Sequence, residues 1–398
     1  MSSCSSTSIK RVRKKPLLSS ATNNNINIPE DVLLSYIFIR LRAKQLAQMR
    51  TLSKTWNALL SHPSFIQSHL DRSINTNDEI LMVFYNGVFS QHKPFTAHPS
   101  RSPSEDLAYL IKPPPGPGYN VVIGSVNGLI CFADYIIHRR SFRIWNPSIS
   151  ALIALPPYTI SEDYPKDACS FRFGFDPKTS DYKLVKIAYR FDRHVLIEKY
   201  FPVEVYSMRK DSWEFITAKF PSHIRYIHEP PNEAYVDGYD GHVHWLCSID
   251  TDKTLQTIMA YDLNLETFSE ILLPDSIQRN RNRSRRNALG VWSRKLCVIS
   301  CNYQDGDCEV WVMDKCKVAG SWIKLHVLSG FSGDIVPIGF TLNSKFLFRH
   351  DDNLALYDPN ASASKHFKAI RPVESPTKVA QYIDSLVWPV SSRKGLGP

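Results

Sequence analysis

Phe142-Arg143-Ile144-Trp145-Asn146-Pro147, running on to Leu152 and Leu155, is the stretch on which the reading of this chain turns. It has a short alternating strand that ends in an aromatic residue, a polar turn, and a second short strand. The same element returns as Val203-Glu204-Val205-Tyr206 leading to Trp213 and Phe215, and as Ile258-Met259-Ala260-Tyr261-Asp262 leading to Phe268 and Ile271. It returns again as Val310-Trp311-Val312 leading to Trp322 and Leu325, and as Leu354-Ala355-Leu356-Tyr357-Asp358 leading to Phe367. The aromatic markers Trp145, Tyr206, Tyr261, Trp311 and Tyr357 stand 61, 55, 50 and 46 residues apart.

A hairpin precedes several of these elements. Val121–Phe132 folds about Asn127-Gly128, Ala234–Leu246 about Asp240-Gly241, Leu289–Ile299 about Ser293, and Ile338–Phe348 about Asn343. Asn-Gly suits a two-residue hairpin turn because both central positions need positive φ. Two hairpins make a four-stranded unit, and about 50 residues per unit is the kelch-like blade period. The β-region therefore reads as a propeller of about six to seven four-stranded blades. A pair of β-sandwiches is the alternative architecture.

Ahead of the β-region, residues 28–72 follow helical spacing. Leu33, Leu34, Ile37, Phe38 and Leu41 form one apolar stripe, and Leu46, Met49, Leu52, Trp56, Leu59 and Leu60 a second, read as two short helices. Pro29 suits a first helical turn, Glu30 and Asp31 a helix N-terminus. His62-Pro63 ends the second stripe, and Ser64 is placed to cap a further turn holding Phe65, Ile66 and Leu70. Such a module is marginal as an isolated core, and its large apolar residues point to a partner.

The 398 residues carry a net charge of +10, 43% hydrophobic and 22% charged residues, the balance of a folded chain. Residues 1–28 hold Lys10, Arg11, Arg13, Lys14 and Lys15 and no acid. Residues 1–27 read as a disordered basic tail, with the run Lys10–Lys15 either a nuclear import signal or a solvated tail. A second basic cluster is Arg279, Arg281, Arg283, Arg285 and Arg286. Positive charge in a tail and one loop argues against nucleic-acid binding, which favours a structured basic face with interleaved aromatics. The arginine run reads as a solvated loop between blades or as a contact for an acidic substrate surface, for which Arg281, Arg283, Arg285 and Arg286 are the candidates.

The longest strongly apolar run is Ile80–Tyr85, far short of a membrane span of about 20 residues. No secretory signal is expected, and the eight cysteines read as reduced thiols in a cytoplasmic or nuclear protein. Cys297, Cys301, Cys308 and Cys316 resemble a ligand cluster only on paper, because Cys297 and Cys301 lie about 13 Å apart along one strand. His242 and His244 supply two ligands where zinc needs three or four. No metal site, cofactor or catalytic residue is expected. There is no G-x-S-x-G elbow, P-loop or dinucleotide fingerprint. Asp176, Asp262 and Asp358 follow strands, where Asp serves turns.

Ile28-Pro29-Glu30-Asp31-Val32-Leu33-Leu34, Ile37, Leu41, Leu46, Leu52-Ser53-Lys54-Thr55-Trp56 and His62-Pro63-Ser64-Phe65 together resemble an F-box, a small all-α three-helix module. Val126–Cys131, Trp145–Ser148, Phe173–Asp176 with Asp181–Lys183, Val203–Ser207 and Trp311–Met313 are similar to signatures of the F-box-associated domain of plant F-box proteins. The resemblance places the F-box at 28–72, the propeller-like domain at 73–390 and a flexible tail at 391–398. Arg42 stands where that family usually has Pro, and Gln48 where a basic residue is common.

The resemblance implies a substrate receptor of an SCF-type cullin–RING ubiquitin ligase, not itself an enzyme. Pro29, Leu33, Leu34, Ile37, Leu41, Leu52 and Trp56 would meet a Skp-type adaptor, which links to cullin and RING subunits. The β-domain would capture a protein substrate. Tyr382-Ile383-Asp384-Ser385-Leu386-Val387 is similar to the S-locus branch, for which a pistil ribonuclease would be the substrate. A ligase-independent binding scaffold and a propeller-fold enzyme are the alternatives.

Overall fold

Ile80–Tyr85 shows how alternation along a strand builds this molecule. Leu81 and Val83 pack to one side with Leu347, Leu354 and Leu356. Met82 and Phe84 pack to the other with Phe89, Val122, Phe132 and Trp145. Side chains on a strand alternate faces, and here both faces are covered, so the strand reads as one continuous apolar run. The same division recurs at Gln256–Asp262, where Ile258 and Ala260 go one way and Met259 and Tyr261 the other.

The computed structural model describes residues 29–389 except 77–78, 86–87, 91–94, 108–110, 115–118, 135–140, 160–167, 193–196, 201, 229–232, 235–239, 280–283, 303, 305, 315–320, 330–334, 351–352 and 368–376. The tails expected at 1–27 and 391–398 lie outside the described residues. The strands form six sheets arranged as the blades of a propeller, at the lower end of the expected count and numbered in chain order: blade one holds Ile80–Tyr85, two Asn120–Val126, three Ala168–Asp176, four His242–Ser248, five Arg285–Trp292 and six Ile335–Phe340. The buried apolar residues of the ring fall into six clusters, one at each blade-to-blade interface.

Blade two contains Asn120–Val126, Leu129–Asp134, Phe142–Asn146 and Ala151–Ala154, from the inside outward, with Val88–Phe89 paired to its innermost strand. All five aromatic markers lie on the third strand of their blade, and Trp145, Tyr206 and Tyr261 are buried there. The expected turns form: Asn127 and Gly128 have φ of 51° and 79°, and Ser293 and Arg294 have 47° and 66°. Asp176, Asp262 and Asp358 accept backbone N–H groups two residues on, so each closes a turn.

The five sequence repeats leave one blade unexplained. Blade one is assembled from both ends of the domain: Thr377–Tyr382 pairs antiparallel with Ile80–Tyr85, Ile80 opposite Tyr382, and Thr96–Pro99 follows. Glu233–Ala234 also pairs with this closing strand, in parallel register. That corrects the pairing of Ala234 with the strand through Leu246. Strand His242–Ser248 takes Tyr226–Ile227 as its antiparallel partner on that side instead.

The N-terminal module has four helical segments, 30–40, Ala43–Arg50, Lys54–Leu60 and Pro63–Asn75; that is one more than a three-helix module, and the second stripe lies over two short helices as its spacing predicts. The Ser53 side chain accepts the Trp56 N–H at 3.1 Å and opens a separate helix within the second stripe. The last helix is also longer than the single turn expected. His62, not Ser64, is its cap, with Pro63 in the first turn.

Cys301 and Cys308 face each other across neighbouring strands and are joined as a disulfide, while Cys131, Cys169, Cys247 and Cys297 remain thiols. The expectation of reduced thiols throughout is corrected at that pair. Spacing along one strand missed a partner lying across the ladder.

Candidate functional site

Each blade is an antiparallel meander. The turn between its first and second strands and the turn between its third and fourth therefore share one face of the ring. Contacts between neighbouring blades agree with this. Ser293 meets Ser344 at 3.4 Å, and the Leu342 N–H donates to the Glu79 carboxylate at 3.1 Å. The helical module sits on this face. Its core of Phe38, Ala43, Leu46, Leu60 and Phe65 includes Leu386 from beyond the closing strand and packs against Ile149 from a blade-two turn.

The candidate adaptor-binding residues divide into two groups. Leu33, Leu34, Leu41 and Trp56 are half-buried in the module core, where Trp56 meets the Phe38 ring edge-on at 5.5 Å. Pro29, Ile37 and Leu52 face outward, Leu52 at 72% exposure and Ile37 at 42%. Tyr36, at 64%, joins them. Sequence reasoning missed Tyr36 because it lies off the apolar stripe. An aromatic residue beside the stripe, with no core position to fill, was the available signal.

Arg42 uses its backbone N–H, donating to Gln45 Oε1 at 3.0 Å as the helix begins. The next residue, Ala43, donates to Asp384 Oδ2 at 2.7 Å. A carboxylate there satisfies one of the helix's unpaired N–H groups and complements its dipole. Asp384 also accepts the Ser148 hydroxyl, which contacts the Tyr382 hydroxyl. The Asn146 amide donates to the carbonyls of Ser385 at 2.9 Å and Val387 at 2.8 Å. The hairpin turn beside them leaves no space: a Cβ on Gly128 would lie 2.6 Å from the Ile383 carbonyl oxygen. The signatures Asn127-Gly128 and Trp145–Ser148 thus seat a strap, residues 383–387, between the propeller and the helices.

Glu79 lies where the last helix enters blade one. Burial pushes its carboxyl up to about 8, against the pull of the Leu342 N–H and Ser100.

The arginine candidates do not form one group. Arg281 and Arg283 lie outside the described residues. Arg285 and Arg286 start the innermost strand of blade five, not a loop, and their end of the strand is on the face opposite the helices. Arg285 pairs with Glu309 at 3.3 Å, and Arg286 donates to the Ile335 carbonyl at 3.4 Å. Only Arg286 of the two is exposed.

His242 lies 3.6 Å from Asp240 and 3.4 Å from Asp262, with the His244 ring 6.2 Å away. Among the described residues no group of three or more His, Cys, Asp or Glu is arranged to hold a metal ion. A cleft of about 510 Å³ between blades three and four contains Lys183, Asp181, Arg209, Lys210, Glu214 and Glu266. Lys183 there donates to the Leu263 carbonyl at 2.6 Å and to Glu266 at 3.1 Å. Among the described residues no helix is long and apolar enough to cross a membrane.

Known proteins resemble this chain in sequence. Over 314 residues the chain is 29% identical to F-box protein CPR1 of Arabidopsis thaliana, covering 76% of this chain and 73% of that protein. Over 378 residues it is 25% identical to an F-box/kelch-repeat protein of the same plant, covering 91% of this chain and 96% of that one. Residues 80–335 match the model of the F-box associated beta propeller domain. With more than half of its length matched, the chain belongs to the F-box associated beta propeller family.

Proposed function

We propose that this chain is the substrate receptor of an SCF-type cullin–RING ubiquitin ligase, with an F-box at 28–72 and a substrate-capturing domain at 73–390. The observation that carries this reading is the outward exposure of Tyr36, Ile37 and Leu52 on a module whose core packs against the propeller. A few large apolar anchors supply most of the energy of a helical interface. Pro29, Ile37 and Leu52 touch a Skp-type adaptor directly. Leu33, Leu34, Leu41 and Trp56 hold the helices that present them.

The mechanism asks for no catalytic residue in this chain. Holding a protein substrate near a charged ubiquitin-conjugating enzyme raises its effective concentration and orients it. The face opposite the helices, where Arg286 is exposed, is the substrate side.

Co-purification of the full chain with a Skp-type adaptor tests this. The double variant Ile37→Asp, Leu52→Asp changes two exposed positions, so it folds as the wild type does. Adaptor recovery is expected to fall at least about 100-fold, the loss of two anchors worth roughly 1.4 kcal/mol or more each. Undiminished recovery overturns the reading in favour of a ligase-independent scaffold.

A further inference from the structure

The strap does more than finish the fold. Chain connectivity alone joins the helices to the ring through a few residues after Asn75, which would let the module pivot. Three contacts oppose that: the Arg101 guanidinium donates to the Thr76 carbonyl at 2.6 Å, Ile149 packs on the helical core, and the strap enters that core. The strap is the most thoroughly fixed of the three. Ser385 and Leu386 are fully buried, and Asn146, also fully buried, places both of its amide hydrogens on strap carbonyls. The Val387 N–H returns to Ser385 Oγ at 3.0 Å. Asp384 then joins two bodies through one carboxylate: one oxygen takes the Ala43 N–H of the helix, the other the Ser148 hydroxyl of blade two.

We propose that residues 383–387, acting through Asp384 and Leu386, set the angle between the helical module and the propeller, and so are positioning residues for ubiquitin transfer. The proposal rests on the receptor reading. Neither residue touches the outward face of Tyr36, Ile37 and Leu52, so both partners bind without the strap. What is lost is the fixed path between them. Effective concentration depends on that path being short and stiff, and a pivoting module spreads acceptor lysines over many distances from the conjugating enzyme.

The test uses the full chain, reconstituted with Skp-type adaptor, cullin, RING subunit, conjugating enzyme and ubiquitin, and comprises two measurements. Amide exchange of residues 43–50 reads the helix directly and needs no partner. Mass-spectrometric mapping of ubiquitinated lysines on the receptor itself reads the geometry. In Asp384→Ala, exchange at the start of that helix should rise about tenfold, the loss of one net hydrogen bond. Adaptor capture should stay unchanged and the set of modified lysines should widen.

Asp384→Asn should restore the wild-type pattern, because its amide oxygen accepts the Ala43 N–H and its nitrogen donates to Ser148. Leu386→Ala gives an independent cut on the apolar side of the same joint. Wild-type exchange and an unaltered lysine map in both Asp384→Ala and Leu386→Ala overturn the proposal. A wild-type chain that captures no adaptor overturns the receptor reading instead, and the exchange measurement still decides whether the strap holds the helix.

Discussion

Strand Gln256–Asp262 is buried along its whole length by a neighbour on each side, whereas helix Ala43–Arg50 buries only Ala43 and Leu46. The ring repeats one solution six times, so each interface is made from the same kind of strand pair. The helical module has a single small core, and Leu386 from the far end of the chain fills part of it. The difference shows that in the ring burial follows from local pattern, while in the module it depends on a residue more than 300 positions away. Both regions leave apolar surface outward: Ile323 and Val327 on a strand of the ring, Tyr36 and Leu52 on the module.

The comparison breaks if the ring proves as easily disturbed as the module. Trp245 is fully buried between blades three and four, and its indole N–H donates to Ser170 Oγ at 2.9 Å. Trp245→Ala should cost about 3–5 kcal/mol, read by chemical denaturation of the propeller. A loss below about 1 kcal/mol would show that the interfaces are not close-packed.

The junction sharpens it. Glu79 has a folded-state value near 8 against a usual 4.5. Between those values the folded chain keeps a proton that the unfolded chain has lost. Its contribution therefore falls as pH rises through that window, by up to about 1.4 kcal/mol per pH unit, and levels off above it. Glu79→Gln keeps an acceptor for the Leu342 N–H and removes the charge. The variant should match the wild type near pH 4.5 and exceed it increasingly towards pH 8 in paired thermal melts. Parallel profiles would mean that Glu79 is ionised within the fold.

The smallest effect belongs to the module alone. Ser53→Ala removes the cap on the Trp56 N–H and should cost about 1 kcal/mol. Amide exchange should quicken over Lys54–Leu60 while strands such as Gln256–Asp262 keep their protection. Loosening in both would mean that the module and the ring unfold as one unit.

Much of the ring was legible because its signals are local. Asn127-Gly128 dictates a turn wherever it occurs, and an aromatic on every third strand repeats with the blade. The sixth blade was hidden because its strands come from opposite ends of the domain, so no contiguous repeat contains it. Cys301 and Cys308 were misread for a related reason: distance was judged along a strand instead of across the ladder. Arg285 looked like loop charge because Glu309, its partner, lies two strands away in sequence. In the helical module the apolar spacing found the helices. It could not separate Leu52, which projects, from Trp56, which packs, because both fit the same stripe. The segment Tyr382–Val387 drew notice only for its resemblance, since nothing in its composition shows that it bridges two bodies.

Closure of the ring by its last strand also sets an order of events during synthesis. Ile80 leaves the ribosome early, but Tyr382, its partner, follows roughly 300 residues later, about 15–60 s at 5–20 residues per second. The amino-terminal helices wait through that interval without Leu386 in their core. Translation that stops before Thr377–Tyr382 and Leu386 thus yields neither a closed ring nor a seated module, and the nascent chain attains its working geometry only when they have emerged.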